Sequence, residues 1–371
     1  MSLIATNLTW AEVDLNAIKN NIRTLQELTG VDVMAVVKAN GYGHGMLPVA
    51  KAALEAGAAY CAVARIPEGI ELREAGIQAP VHVMGPSLSH RFRDAIQHHL
   101  EITLFQMEQI EPLRQVAASV GRPARVHVKV ETGMNRIGAD PDDALVMLQT
   151  LAGIPEIEVA GLFTHYARAD EEDTTTTDRQ EETFLQFLQT VTENGLRPKV
   201  IHAGNSATAV TRPASRFDMV RAGVSMYGLH PSREVRLPRD FKPALTWKTQ
   251  LRHVHHIKAG EGISYGHRYV TSGEERIGVI PVGYGDGWRR TDENEVLLHG
   301  KRAPVVGRVC MDQCMLQLDS FPGAAVGDEV VLLGRQGADH IAAEDVAARW
   351  NTINYEVTCG ISARIPREYL R

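Results

Sequence analysis

The sequence predicts an α/β protein, an N-terminal (β/α)8 barrel of the TIM type followed by a C-terminal, mostly-β domain. Three observations carry this. Over the first two-thirds of the 371 residues, short β-rich apolar runs alternate with helix-like stretches, the order produced by a parallel sheet with helical crossovers. After about Leu237 the alternation stops and β-rich pieces separated by glycine turns take over. The chain is also long for one compact core, which favours two domains. The expected division is 11–236 for the barrel and 237–371 for the β domain, joined by residues 1–10.

The eight strand candidates are Val31–Lys38, Ala59–Ala64, Val81–Gly85, Glu101–Phe105, Arg125–Val130, Ile157–His165, Lys199–Ala203 and Asp218–Arg221. Their apolar runs are short, as for strands buried on both faces of a parallel sheet. Helix-like stretches lie between them at Pro48–Gly57, Pro67–Gly76, His90–His98, Gln106–Val120, Pro141–Ala152 and Thr177–Gly195. In the last, Phe184, Leu185, Phe187, Leu188 and Val191 share one face, and Gly195 can close the helix in a left-handed conformation. This span is close to the usual barrel length of about 250 residues. An open doubly wound sheet is the alternative, but Gly41-Tyr42-Gly43-His44-Gly45 places its third glycine too early for a dinucleotide fingerprint. In the C-terminal part, Pro243–Tyr265, Glu275–Pro281, Arg302–Leu318 and Asp328–Leu333 read as β, and Ala342–Trp350 as the one helix.

Composition narrows the function. There are 39 Lys and Arg against 45 Asp and Glu, a net charge of −6, and no basic block, so there is no electrostatic footprint for nucleic acid or an anionic membrane surface. No apolar run approaches the roughly 20 residues a membrane helix needs. Met1–Trp10 has no cationic region and reads as no signal peptide. Cys61, Cys310, Cys314 and Cys359 are sparse and read as free thiols of a cytoplasmic protein. No second ligand pair follows Cys310 and Cys314 at finger-like spacing, so no metal site is expected.

Barrel enzymes work at the C-terminal ends of their strands. There the first run ends in Lys38, the fifth carries Lys129 with Arg136 shortly after, and the sixth ends in His165. The seventh is followed by Asn205 and Ser206, and the eighth ends in Arg221 before Gly223 and Val224. Cations gathered on one rim repel one another unless an anion sits among them. The loops after strands seven and eight are a common phosphate site, where a Ser206 hydroxyl and backbone N–H groups around Gly223 can serve. A phosphorylated ligand with an electrophilic carbon facing Lys38 would use all of these groups. Pyridoxal 5′-phosphate, held as a lysine Schiff base, is such a ligand.

The stretch Ala35-Val36-Val37-Lys38-Ala39-Asn40-Gly41-Tyr42-Gly43-His44-Gly45 resembles the cofactor-lysine motif of alanine racemases. The rest is similar in order and spacing: Val128–Gly138, Thr164-His165, His202–Ser206 and Arg221–Gly228. In the second domain Ser264-Tyr265-Gly266, Gly283-Tyr284-Gly285-Asp286, Cys310-Met311-Asp312 and Ile353-Asn354-Tyr355-Glu356 continue it. The resemblance spans nearly the whole chain.

It implies a fold-type III pyridoxal phosphate enzyme, a head-to-tail homodimer whose β domain completes the partner's site. Its reaction interconverts L- and D-alanine, for peptidoglycan or for alanine catabolism. By the same resemblance Lys38 carries the cofactor and is the base on one face of the substrate Cα, and Tyr265 from the other subunit is the base on the opposite face. Inversion through a planar carbanion needs proton removal on one side and delivery on the other. A phenol, with its ordinary pKa near 10, needs help to act so, and a tyrosine–histidine–arginine chain through His165 and Arg221 would provide it. Arg221 resembles the arginine facing the pyridine nitrogen, and Tyr42, Ser206, Tyr355, Gly223 and Val224 match phosphate-binding positions, with Asn205 beside them. Arg136 and Met311 match residues holding the substrate carboxylate. Lys129 matches a lysine that in some members carries a CO2-derived carbamate. Tyr265 and Tyr355 match the inner gate, with Asp170, Tyr284, Arg289, Arg308 and Ile353 further out along the entrance. Strict alanine and modest serine activity are not separated, because a small pocket rejects one hydroxyl poorly. The rival classes are a fold-type III amino-acid decarboxylase and a single-barrel pyridoxal-phosphate-binding homeostasis protein. The second domain argues against the latter.

Overall fold

The computed structural model describes residues 7–371, so Met1–Thr6, within the segments read as carrying no signal peptide and as joining the β domain, lie outside the described residues. The chain divides into two units. Its strands are Thr9–Asp14 (β1), Asp32–Val36 (β2), Tyr60–Val63 (β3), Val81–Val83 (β4), Leu100–Leu104 (β5), Ala124–Lys129 (β6), Ile157–Phe163 (β7), Val200–His202 (β8) and Met219–Ala222 (β9). They continue with Leu245–Gln250 (β10), His253–Ile257 (β11), Gly262–Ile263 (β12), Tyr269–Val270 (β13), Glu275–Ile280 (β14), Glu295–Leu298 (β15), Lys301–Val306 (β16), Cys314–Gln317 (β17), Glu329–Gln336 (β18), Asp339–Ile341 (β19) and Arg367–Leu370 (β20).

The larger unit takes Ala17–Gly41 and Met46–Lys242. Strands β2 to β9 form one parallel sheet in the order β8-β7-β6-β5-β4-β3-β2-β9. It closes on itself where Asp218 N–H donates to Ile201 O at 3.1 Å and Arg221 N–H to Gly204 O at 2.9 Å. This is the (β/α)8 barrel the alternation predicts. Helices Ile66–Glu74 and Pro141–Ala152 start with a proline in the first turn, where its missing N–H costs nothing. Helix Thr175–Glu193 buries Phe184, Phe187 and Val191, and Gly195 follows it at φ 67°.

The smaller unit takes the residues up to Asn16, Tyr42–Gly45 and Pro243–Arg371. Its main sheet runs β11-β14-β17-β16-β15-β18-β10-β1-β20, with β19 on β18. All four tryptophans belong to it. Trp247, Trp288 and Trp350 meet edge to face, their ring centroids 5.7 and 5.4 Å apart.

These boundaries correct the expected 11–236 and 237–371. Residues 11–16 leave the barrel because β1 pairs antiparallel with β10 and parallel with β20. At the other end the barrel unit extends to Lys242, whose N–H and C=O both bond the buried Asn21 side chain, at 2.9 and 2.8 Å. Tyr42–Gly45 pack with the C-terminal strand and helix: Arg367 Nε donates to Gly43 O at 3.1 Å, and a Cβ on Gly43 would stand 2.0 Å from Thr358 O. The helices Leu15–Thr29 and Asn354–Cys359 and the strands β15 and β20 are additional to the sequence reading. The second of those helices has six residues, too few to display a helical period.

Candidate active site

Strand β2 delivers Lys38 into an unusual turn. Ala39, Asn40 and Gly41 are all left-handed, at φ 52°, 54° and 61°, and Tyr42 follows at 53°. Such runs are disfavoured for residues bearing a Cβ, and side chains hold this one. Ala39 N–H donates to Glu68 Oε1 at 2.8 Å, while Glu68 Oε2 takes the N–H groups of Ala64 and Arg65. Asn40 Oδ1 accepts from Met46 N–H at 3.0 Å. The Lys38 backbone therefore leaves the strand in one direction only.

Arg221 on β9 is buried, and both of its terminal nitrogens donate. Nη2 reaches His165 Nδ1 at 2.8 Å and the carbonyls of Thr164 and Ala203, and Nη1 reaches His202 Nδ1 at 2.8 Å. Burial brings its pKa down only to about 10, so it stays charged at neutral pH. Because Arg221 can only donate, His165 Nδ1 must be a bare acceptor and its proton must sit on Nε2. His165 is held neutral, far below its ordinary pKa, by burial and then by Arg221, Arg136, Lys129 and Lys38. Four cations thus converge on one uncharged ring.

Lys129 ends β6 almost fully buried and donates from Nζ to Ile137 O at 2.5 Å. Burial, then Arg136, depress its pKa to about 8. Arg136 projects from a loop that Glu131 holds by accepting from Gly133 and Met134 N–H, each at 2.6 Å. After β8, Asn205 caps the short helix Ser206–Thr211 through Ala207 and Thr208 N–H. Ser206 Oγ accepts from Gly223 N–H (3.1 Å), Ser225 N–H (3.2 Å) and Ser225 Oγ (3.0 Å). The hydroxyl lies beside Gly223 and Val224. Asp170 lies in the same unit, its carbonyl accepting from Ser232 Oγ.

In the β unit Tyr265 is 68% exposed. It follows Ser264, which at φ 63°, ψ −172° occupies a region open in practice only to glycine. Ser264 Oγ holds that strain by donating to Arg308 O at 2.6 Å. Tyr284, Met311 and Ile353 are exposed too, and Gly285 N–H donates to Met311 O at 2.9 Å. Arg289 pairs with Glu356 at 2.5 Å and lies over the Trp350 ring. Tyr42 and Tyr355 bring their rings to 6.1 Å, and burial followed by Tyr355 pushes the Tyr42 phenol well up.

The sequence reading missed the barrel interior. His82, Glu101 and His127 are completely buried there, with His202. The available signal was parity: His127 and Lys129 share one face of β6, while single histidines interrupt apolar residues in β4 and β8. The nitrogens of His82, His127 and His202 cluster within 4.8 Å, the one such metal-competent group among the described residues. Their geometry is not that of ligands. His82 and His127 stack at 4.1 Å and 17°, so no ion lies in both ring planes.

The comparisons with known proteins then decide the family. The model for the alanine racemase N-terminal domain matches residues 13–231 and that for the C-terminal domain matches 244–369. The alanine racemase of Symbiobacterium thermophilum is 45% identical over 372 residues, covering 100% of this chain and 99% of its own. The chain belongs to the alanine racemase family. Another member, from Halothermothrix orenii, is 43% identical over 98% of this chain and 97% of its own. The crystal structure of the alanine racemase of Bacillus anthracis superimposes with a TM-score of 0.93 at 42% identity, covering 98% of this chain and 95% of that one. The alanine racemase of Clostridium difficile 630 gives 0.94 at 37%, covering 98% and 96%.

Burial of neutral histidines sets an acid limit on this member of the family. His82, His165 and His202 all have folded pKa values far below the ordinary 6.5. Below pH 6.5 the unfolded chain binds protons that the folded chain refuses, so stability falls as pH drops. Each histidine contributes about 1.4 kcal/mol per pH unit once the unfolded form is protonated. Urea midpoints measured from pH 7.5 to 5 should fall steeply, and replacing His82 by leucine should flatten the slope by one proton.

Proposed function

We propose that this protein is a pyridoxal 5′-phosphate-dependent racemase that interconverts L- and D-alanine, acting as a head-to-tail homodimer in the cytoplasm. The convergence of Lys38, Lys129, Arg136 and Arg221 on the neutral His165 carries this reading. Such a cluster needs anions, and a phosphorylated cofactor with an amino-acid carboxylate supplies them. The donor types suit a phosphate: the Ser206 hydroxyl beside Gly223, and the phenols of Tyr42 and Tyr355.

Lys38 would hold the cofactor until the substrate amine displaces it; the cofactor, then carried by that amine, would acidify the proton on the substrate Cα and leave the Lys38 amine free. Lys38 Nζ removes or returns that proton on one face, and Tyr265 Oη from the second copy does so on the other. His165 Nε2–H points its proton to a phenolate oxygen and favours the ionised form. Arg221 stays protonated and can only donate, so it would face the pyridine nitrogen as a donor and leave that nitrogen without a proton, which would limit side reactions. Arg136 and the Met311 N–H hold the substrate carboxylate, with Asn205, Gly223 and Val224 around the phosphate. Tyr265 and Tyr355 form the inner gate, and Asp170, Tyr284, Arg289, Arg308 and Ile353 line the outer entrance. Exposure of Tyr265, Tyr284, Met311 and Ile353 on one unit supports burial against a second copy.

Borohydride reduction of the protein incubated with pyridoxal phosphate should label the peptide containing Lys38, and the untreated protein should interconvert the alanine enantiomers. Release of CO2 from basic amino acids without racemization would instead make it a decarboxylase. Replacing Arg221 by glutamate should slow racemization by about 10²-fold or more and raise the fraction of turnovers ending in transamination, read as pyruvate formed per inversion.

Lys129 should carry a carbamate. An amine lowered to about 8 has far more of its unprotonated, CO2-reactive form at neutral pH than an ordinary lysine, and the product turns a cation beside Arg136 into an anion. Without it, stability should rise with pH between about 8 and the ordinary 10.5, because there the unfolded lysine is protonated and the folded one is not. With 13C-bicarbonate a carbamate resonance should appear, absent from Lys129→Ala. A bare amine at neutral pH under CO2 would refute it.

A further inference from the structure

Below Arg221 the barrel interior holds an unbroken polar line that the proposed reaction does not use. Arg221 Nη1 lies 2.8 Å from His202 Nδ1, His202 Nε2 lies 2.9 Å from His127 Nδ1, and His127 Nε2 lies 2.7 Å from Glu101 Oε2. Glu101 Oε1 is paired with Arg125 Nη1 at 2.5 Å. Arg221, His202, His127 and Glu101 are all buried.

Chemistry alone places the protons. A guanidinium only donates, so His202 Nδ1 must be bare, and the neutral ring then carries its hydrogen on Nε2. That hydrogen goes to His127 Nδ1, which must be bare in turn. His127 therefore carries its hydrogen on Nε2 and donates it to the Glu101 carboxylate. With both rings neutral, no other arrangement makes all three bonds. The reversed order sets a His202 N–H against an Arg221 N–H and a His127 lone pair against a carboxylate. His82, stacked on His127, makes no hydrogen bond to the line: its Nε2 donates to Thr103 Oγ1 at 3.1 Å, whose proton goes to Val83 O at 2.9 Å, and its Nδ1 has no hydrogen-bond partner.

We propose that Glu101, acting through His127 and His202, is a positioning residue for Arg221. The line has a fixed donor at one end, Arg221, and a fixed acceptor at the other, Glu101, and the two together order the protons between them. Glu101 thereby reinforces the tautomer in which His202 offers Arg221 a lone pair. Arg221 is held at one end by His165, Thr164 and Ala203 and at the other by His202. A His202 of the opposite tautomer would set an N–H against Nη1, leave that end only its 3.1 Å bond to His202 O, and let the guanidinium tilt within its site. Its bearing on turnover rests on the role proposed for Arg221; the order of the protons does not.

The test uses the full-length protein labelled with 15N-histidine, and two-bond 15N–1H correlations that report the tautomer of each ring, with and without added pyridoxal phosphate. Wild type should show Nε2–H for both His127 and His202. Glu101→Gln still offers a carbonyl to His127, so it should keep both tautomers and hold kcat within about 3-fold. Glu101→Leu should mix the tautomers, shift the visible absorption of bound pyridoxal phosphate, and lower kcat about 10-fold with KM for alanine little changed. His127→Phe keeps the stack on His82 and cuts both bonds, so it should change the His202 tautomer even where Glu101→Leu does not fold. An unchanged His202 tautomer in either cut variant overturns the proposal. So do equal kcat losses in Glu101→Gln and Glu101→Leu that merely follow a lowered melting temperature. A wild-type protein without alanine racemization would instead refute the proposed function, while leaving the tautomer readout intact.

Discussion

Lys38→Ala should lower racemization of alanine by about 10⁴-fold or more, because in the function proposed above one amine both carries the cofactor and moves a proton at the substrate Cα. The loss should be chemical rather than structural. The turn after Lys38 is held by Glu68 and Asn40 through backbone N–H groups of other residues, so truncating the side chain leaves those bonds in place. Circular dichroism and the melting temperature should stay near wild type. Added methylamine should restore part of the rate, in proportion to its unprotonated form, because the free amine replaces the missing one. A rate within tenfold of wild type, with the fold intact, would remove Lys38 from the chemistry.

Tyr265→Phe should give the second largest loss, about 10²–10⁴-fold in inversion, the usual range for one acid–base group. The expected signature is asymmetry. In D2O, one enantiomer of alanine should still exchange its Cα hydrogen with solvent and keep its configuration, since Lys38 continues to work on its own face. The other enantiomer should be nearly inert. Equal exchange in both enantiomers would mean that a single base serves both faces. Ser264 makes the position demanding: its strained backbone and its bond to Arg308 O set the direction in which the phenol leaves the β unit. Ser264→Ala, which keeps the strain and removes the bond that offsets it, should weaken inversion through geometry alone.

Much of the architecture was legible in residue patterns. The barrel strands announce themselves because each is a short apolar run buried on both faces, and the runs recur between helical crossovers. The rim was legible for a related reason. Strand ends are where a buried run must meet solvent or ligand, so Lys38, Lys129, His165 and Arg221 stood out against their apolar neighbours. Residues 11–14 of β1 were misassigned because the strand's pairing partners, β10 and β20, lie more than two hundred residues away in sequence, and local pattern carries no register. Tyr42–Gly45 was divided from Lys38 for the same reason: it is contiguous with the lysine motif in sequence, yet it packs on Thr358, Arg367 and Tyr369.

Sequence by itself determined the kinds of groups available, the order of strands and helices, and a family resemblance that the comparisons match over nearly the whole chain. Those are one-dimensional properties, set by the composition of each run and by the spacing of unusual residues. Only the tertiary structure decided that Arg221 donates to His165 and His202 at once, that Ser206 takes the Gly223 and Ser225 N–H groups, and that Glu101 ends a buried line from Arg221. Protonation and tautomer depend on burial and on partners brought from different strands, and closure of the barrel creates that environment.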